Sequence, residues 1–245
     1  MNIDKCHLLI SKEYENISII INDINIECQK SVKLLGIIID NKLSFQEHIN
    51  ELCKKASLKL HALARISDYM NQDKLRVLMK AFIESQFCYC SLLWMFHSRA
   101  LNNKINKLHK RALRLVYKNN NLSFEELLII DKSFTIHERN LQRLATEMFK
   151  IKNNLSPSFM KSIFPPSTHS YNLRKDVSFQ SKNIHSVYHG TETITFRGPR
   201  LWGNVPIEIK NSSSLSIFKA KIRQWKPKGC QCRICKTFIP NYGFI

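Results

Sequence analysis

The 245 residues are 44% hydrophobic and 10% aromatic, a composition that permits a sizeable core and excludes general disorder. The 38 Lys and Arg residues outnumber 19 Asp and Glu, and the resulting formal net charge of +19 favours an anionic partner. No apolar run reaches the ~18 residues of a membrane span and no signal peptide is visible, so we expect an intracellular protein, cytoplasmic or nuclear, without a membrane partner.

Residues 1–43 predict a small sheet. The β-branched runs at 17–21 and 32–39 are typical of short buried strands, and Asn22-Asp23 suits a turn after the first of them. With 5 Lys and Arg against 7 Asp and Glu, residues 1–50 are slightly acidic. The positive charge of the chain therefore lies beyond them.

Residues 44–153 predict a helical domain, because their apolar positions recur with helical spacing. The helix starts are marked by capping boxes, in which Ser or Thr and a Glu one turn later satisfy the free amides of the first turn. These pairs are Ser44 with Glu47, Ser123 with Glu126, and Thr135 with Glu138. The predicted helices cover 45–66, 72–96, 100–118, 123–130 and 136–153.

Residues 154–225 predict a connection region with short strands and a helix. Its first part is rich in Ser, Asn and Pro, the run 184–197 alternates like a strand, and Ser214 is placed to cap a helix that ends near Arg223. A basic tail follows at 226–245. We therefore expect an α+β chain that is mostly helical.

The helix predicted at 100–118 carries five cations on one face. Their spacings of 3, 4, 3 and 4 residues match helical turns, and no acidic residue interrupts them. Solvated helix surfaces normally mix charges, since like charges one turn apart destabilise a helix. We therefore favour phosphate contact over an ordinary solvated surface. The residues of this basic stripe are Lys104, Lys107, Arg111, Arg114 and Lys118.

The tail contains Cys230, Cys232 and Cys235 in the pattern C-x-C-x-x-C. Three thiolates at this spacing can bind one Zn²⁺, and neighbouring Lys and Arg residues favour the thiolate form. A structural zinc site needs four ligands, however, and no His or Cys follows Cys235, while the nearest upstream His is His189. The sequence therefore favours free thiols in a basic tail, with a three-Cys zinc site that borrows a fourth ligand as the alternative.

No catalytic pattern is visible in the chain. It has no adjacent aspartates, P-loop, H-E-x-x-H or G-x-S-x-G, and Asp4, Asp23 and Asp40 are isolated from one another. Two-metal phosphoryl transfer needs clustered carboxylates. We expect neither bound Mg²⁺ nor catalysis from this chain alone.

Several segments, in order along nearly the whole chain, resemble the palm edge, thumb and cysteine-containing tail of reverse transcriptases from jockey-like non-LTR retrotransposons. Cys88 and Ser91 depart from this pattern, which has Gly and Pro at the two positions. The matching segments are VKLLGIIIDNKLSFQEHI at 32–49, ESQFCYCSLLWMFHSR at 84–99, INKLHKRALRLVY at 105–117, TIHERNLQRLATEMFKI at 135–151, TFRGPRLWGNVP at 195–206 and CQCRICKTFI at 230–239.

The resemblance implies roles for particular residues. Lys5 matches the lysine that assists departure of pyrophosphate, and the helices after Ser44 correspond to the thumb that follows the template–primer duplex. The aspartate pair of the family would lie just before Met1, so we expect a truncated polymerase. The residues that match the hairpin of the primer grip are Lys33, Leu34, Leu35 and Gly36.

Three functional hypotheses stay open. The first is a truncated RNA-directed DNA polymerase, inactive alone, that still binds template–primer duplex or RNA. The second is a non-catalytic basic module for RNA or DNA. The third is an inactive folded remnant without a selected activity.

Overall fold

The structure, a computed structural model, describes residues 6–11, 17–167, 178–180, 190–228 and 230–235. It is mostly helical, with two antiparallel two-stranded sheets near the N-terminus, which confirms the predicted class. The strands are β1 (Ser18–Ile21), β2 (Ile24–Glu27), β3 (Ser31–Leu34) and β4 (Ile37–Asp40). The helices are α1 (Gln46–Ile66), α2 (Gln72–Phe82), α3 (Ser91–Trp94), α4 (Arg99–Tyr117), α5 (Phe124–Asp131), α6 (Ile136–Lys152), α7 (Phe159–Ile163), α8 (Ile194–Asn204), α9 (Ile207–Lys210) and α10 (Leu215–Ile222).

Both N-terminal sheets are hairpins closed by turns with positive φ. Asn22 and Asp23 turn β1 into β2 with φ values of 48° and 61°, as predicted. The single buried strand predicted over 32–39 is wrong, because Leu35 and Gly36 form a turn between β3 and β4. Leu35 is consequently 81% exposed.

Most helix starts follow the predicted capping chemistry, but the first does not. Ser123 and Thr135 form complete capping boxes at the N-termini of α5 and α6. The box predicted at Ser44 is absent, because the carboxylate of Asp40 already accepts the amides of Ser44 at 3.0 Å and Phe45 at 2.6 Å. The end of β4 therefore fixes the start of α1.

The helix predicted over 72–96 is interrupted. It ends at Phe82, continues as a 3-10 turn at Glu84–Phe87, and resumes as α3 after Cys90, whose φ is 43°. The interruption turns the side chain of Glu84 into the protein interior, where it is 5% exposed. An unbroken helix would keep a single straight face and could not satisfy this buried charge.

The strand predicted over 184–197 is wrong where the structure describes it, and residues 184–189 lie outside the described ranges. Residues from Ile194 onward belong to α8, whose N-cap Thr193 accepts the amide of Phe196 at 3.3 Å. A Cβ added to Gly198 would lie 2.9 Å from the Met148 sulfur, so this glycine permits close packing of α8 on α6. The helix predicted after Ser214 is confirmed as α10.

Two hydrophobic cores stand side by side, and α6 contributes to both. The first core gathers residues of α1, α2, α4 and α5, and includes Ile136 from the first turn of α6. The second core lies mainly along the rest of α6 and against α8 and α10, with Trp202 and Phe218 fully buried. The Phe218 ring stacks on Phe149 at 4.2 Å between centroids. No described helix is long and apolar enough to cross a lipid bilayer.

A buried ion cluster joins the two cores. Glu84 pairs with Arg139 of α6, whose Nη2 lies 3.0 Å from Oε1, and the same oxygen lies 3.2 Å from Nε2 of His109 on α4. Burial alone would raise the pKa of Glu84, but the hydrogen bonds from His109 and Arg139 outweigh it and lower the pKa to about 2. The ionised carboxylate therefore stabilises the fold.

We expect Glu84→Gln to lower the free energy of unfolding by about 3 kcal/mol at neutral pH, since it leaves the guanidinium of Arg139 without its carboxylate partner. Because the folded pKa lies below the ordinary value of 4.5, this stabilisation is present above pH 4.5 and is lost as the pH falls towards 2. Urea unfolding measured across this range tests the prediction. Glu27→Gln, at an exposed strand position, is the control and should change the unfolding free energy by less than about 0.5 kcal/mol.

Candidate metal centre and basic surface

Four metal-binding side chains converge where the C-terminal tail returns to α6. The ligand atoms of His137, Cys230, Cys232 and Cys235 all lie within 4.8 Å of one another. The Cys232 sulfur lies 3.3 Å from Nε2 of His137, and both residues are buried. Ligand atoms around a tetrahedral Zn²⁺ are roughly 3.3–3.8 Å apart, given Zn–S and Zn–N bonds of about 2.3 Å and 2.0 Å. The cluster therefore has the composition and nearly the dimensions of a Cys3His metal site.

The first turn of α6 places His137. Thr135 accepts the amide of Glu138 at 3.2 Å, and the Glu138 carboxylate accepts the amide of Thr135 at 2.9 Å. This capping box sets the helix start immediately before His137. Arg139 is fixed to Glu84, so the imidazole is presented from a backbone that is anchored on both sides. The ring of Phe96 packs edge-on against it at 6.5 Å.

Gln142, one turn further along α6, holds the segment that leads to the cysteines. Its amide nitrogen donates to the carbonyl of Trp225 at 2.8 Å and to that of Arg223 at 3.4 Å. Trp225, Cys230 and Cys235 all pack against the second core. The tail is thus attached to α6 both before and at the cysteines.

The three cysteine thiols of the tail hydrogen-bond to one another. Hydrogen bonds from Cys232 and Cys235 lower the pKa of Cys230 to about 3 despite burial, and the charge of Arg197 lowers it further. Hydrogen bonds with Cys230 and Cys232, together with burial, raise the pKa of Cys235. A divalent cation bound at the cluster would allow all three thiols to ionise.

Charges around the cluster suit a metal with three thiolates. Three thiolates and a neutral imidazole around Zn²⁺ would carry a net charge of −1. Arg197 lies close enough to stabilise the Cys230 thiolate, while its guanidinium pairs with Glu192 at 2.7 Å. Glu192 also accepts the amide of Arg233 at 3.4 Å, which ties the cysteine loop to the start of α8.

A second buried histidine, His97, interacts electrostatically with His137 and Cys232. Nδ1 of His97 donates to the carbonyl of Trp94 at 2.9 Å, and burial lowers its pKa to about 4, so the ring is neutral. Nε2 of His97 and Nδ1 of His137 are both buried without hydrogen-bond partners among the described residues.

Sequence spacing identified the three cysteines but not their partner. His137 precedes Cys232 by 95 residues, so no local pattern connects them. The tail supplies three candidate ligands, and the fold brings His137 to them as the borrowed fourth ligand that the zinc alternative requires. The signal within the sequence was a histidine in the first turn of a strongly capped helix. All eight cysteines lie in the described ranges, where no disulfide is formed.

The basic stripe lies on α4, opposite the side that packs into the first core. Lys104, Lys107, Arg111 and Lys118 are exposed, whereas Arg114 is half-buried and donates to the carbonyl of Leu122 at 3.3 Å. Within the part of the chain that the structure describes, no carboxylate lies within ion-pair distance of Lys107 or Arg111. The stripe is therefore an uncompensated positive surface over its central turns.

Helix α1 extends this surface, which sequence reasoning missed. Lys104 donates to the side chain of Asn50 at 2.9 Å, and Lys118 lies 3.7 Å from the carboxylate of Asp68. Because the starts and the ends of the two helices meet, α1 and α4 lie side by side and run in the same direction. The face of α1 that continues helically from Asn50 to Asp68 carries three further exposed residues, Lys54, His61 and Arg65.

The residues matched to the primer grip lie on the hairpin of β3 and β4. Lys33 and Leu34 end β3, and Leu35 and Gly36 form the turn. The hydroxyl of Tyr89 donates to the carbonyl of Leu35 at 2.9 Å, which supports a turn with an unfavourable φ of 48° at a leucine. The role of this hairpin in primer binding stays a prediction. Lys5 lies outside the described residues.

Three comparisons of the chain with known proteins gave no match. No protein-family model matches it, and no curated protein or solved structure does. The functional argument therefore depends on the residues of the chain and the geometry described above.

Proposed function

We propose that this chain binds nucleic acid through the basic surface of α1 and α4, as the thumb-containing part of a non-LTR retrotransposon reverse transcriptase. The observation that carries the proposal is the uncompensated row of cations on α4. Phosphate contacts of this kind supply most of the affinity of a nucleic-acid-binding protein without selecting a sequence. The similarity of the six segments to jockey-like elements supports the polymerase origin.

In this proposal the chain binds nucleic acid but is not a complete enzyme. Its sequence contains no adjacent aspartates to hold the metal ions of polymerisation. We place it inside the cell, in the cytoplasm or nucleus, where its thiols stay reduced. The second candidate, a basic RNA or DNA module used by the cell, shares the same surface. Preference for an RNA–DNA hybrid with a recessed primer over single-stranded RNA favours the polymerase origin.

Replacing Lys104, Lys107 and Arg111 with Gln should weaken binding to a primer–template duplex and reduce its salt dependence. If each cation meets one phosphate, the slope of log affinity against log salt falls by about three units, because each contact releases about 0.9 counterion. Fluorescence anisotropy over a range of salt concentrations measures the slope.

A charge-matched control separates this surface from general electrostatics. Lys74, Lys80 and Lys161 are exposed cations away from the stripe, and their replacement with Gln removes the same net charge. The control should keep a slope within about one unit of that of the unmodified chain. Equal losses in both triple variants would contradict the stripe as the contact surface.

The proposal includes a structural zinc ion at His137, Cys230, Cys232 and Cys235. Zinc fits because the donor set is three sulfurs and one imidazole nitrogen, all at least half-buried. A four-ligand site of this kind has no open position for a substrate. Its function would be to hold the tail against α6 rather than to catalyse a reaction.

Protein purified under reducing conditions should contain one zinc ion per chain, and His137→Gln or Cys232→Ser should lose most of it. Elemental analysis measures the content, and Co²⁺ substitution reports tetrahedral thiolate ligation independently of stability. Zinc at 1,000 times its Kd should raise the free energy of unfolding by about 4 kcal/mol. Cys88→Ser is the control. It removes an exposed thiol that does not belong to the cluster, and it should retain the metal. Zinc content that neither His137→Gln nor Cys232→Ser reduces would refute the site.

A further inference from the structure

The C-terminal part of the chain holds a second, separate concentration of positive charge. Residues 190–235 contain 9 Lys and Arg against 2 acidic residues, and no Asp or Glu follows Glu208 in the sequence. The other acidic residue, Glu192, is already paired with Arg197. Basic residues therefore outnumber acidic residues by seven in this region.

Four of these cations follow one another along α10 and the segment after it. Lys219 and Arg223 are one helical turn apart, on a side of α10 adjacent to its buried residues Phe218 and Ile222. Beyond the helix, Lys226 and Lys228 lead directly to Cys230. All four side chains are exposed, and we call them the tail cations: Lys219, Arg223, Lys226 and Lys228. Lys221 differs, because it donates to the carbonyl of Glu208 at 3.0 Å.

Attachments at both ends give this segment a defined position. At one end, Gln142 binds the carbonyls of Arg223 and Trp225. At the other end, Cys230 and Cys232 join the cluster with His137. A cation row held in place loses less conformational entropy when it meets its partner than a row on a free tail. Metal binding would stabilise the second attachment, because the ion would bind the cysteines and His137 together.

We propose that the tail cations form a second nucleic-acid phosphate-binding surface, which metal binding at the His137–Cys cluster holds in its binding conformation. The inference rests on the proposed metal centre but not on the stripe of α4. Nucleic acid is favoured over an acidic membrane surface, because the apolar side of α10 is buried in the second core. A helix that binds the membrane interface needs that side exposed for insertion.

The test compares two fourfold Gln variants of the full chain. The first replaces the tail cations, and the control replaces Lys30, Lys74, Lys80 and Lys161, exposed residues outside the C-terminal region, which removes the same charge. Binding to a 20-base-pair DNA duplex is measured against salt concentration, with and without removal of zinc by a chelator. Circular dichroism monitors helix content in every sample.

In the expected result, the tail-cation variant loses about three to four units of salt slope while the control keeps its slope. Chelation reduces the slope of the unmodified chain similarly and has little further effect on the tail-cation variant. An unchanged slope in the tail-cation variant overturns the surface, and an unchanged slope on chelation of a zinc-containing chain overturns its dependence on metal. If the tail-cation variant lost binding to phosphatidylserine vesicles while its duplex binding stayed intact, the proposal would also be overturned.

Failure of this inference is distinguishable from failure of the proposed function. The stripe variant of α4 is measured in the same titration, and its loss of slope relative to the unmodified chain depends only on Lys104, Lys107 and Arg111. Zinc content measured on the same preparation tests the metal centre separately. A chain without zinc overturns the metal-dependent surface together with the proposed centre, while a normal loss in the stripe variant leaves nucleic-acid binding by α4 in place.

Discussion

The buried contact between Arg139 and Glu84 is the interaction on which the arrangement of the molecule depends. It fixes the first turn of α6 to the first core, through a carboxylate that also meets His109 of α4. A buried carboxylate without these partners would cost several kcal/mol, so the pairing has to form with the fold. The remainder of α6 then provides one wall of the second core.

The other polar side chains near the start of α6 extend this attachment in different directions. Arg143 donates to the Asn140 side chain at 2.7 Å and to the Cys88 sulfur at 2.8 Å, and it reaches Ser91 as well. Cys88 and Ser91 thus share one guanidinium partner. His137 faces the cysteines and Gln142 binds the tail. A single helix therefore connects the α4 surface, the candidate metal centre and the C-terminal cations.

Features encoded by neighbouring residues could be predicted from the sequence, whereas contacts between distant residues could not. The capping boxes at Ser123 and Thr135 lie within one helical turn, so their chemistry is visible in the sequence. The stripe on α4 was predicted for the same reason. The start of α1 was misjudged because its cap comes from Asp40 on the preceding strand. The region around α8 was misjudged because β-branched residues favoured a strand, while burial of Phe196 and Trp202 against α6 determined a helix.

The metal centre shows the same limit most clearly. C-x-C-x-x-C is a local pattern and identified the three cysteines, but His137 joins them only because the chain returns across the second core. Likewise, the cations of α1 join those of α4 only because the two helices lie side by side. Both corrections add to the predicted function rather than redirect it, since each enlarges a site whose first residues were visible in the sequence.

Hydrogen–deuterium exchange of the zinc-loaded chain, with and without a primer–template duplex, tests the central claim of nucleic-acid binding most directly. We expect the duplex to slow exchange in peptides of α1 and α4, with a second protected region at 219–228. Peptides of α2 and α7 should exchange at unchanged rates. Protection confined to α2, α7 or the β1–β2 hairpin, with α4 unaffected, would contradict the account.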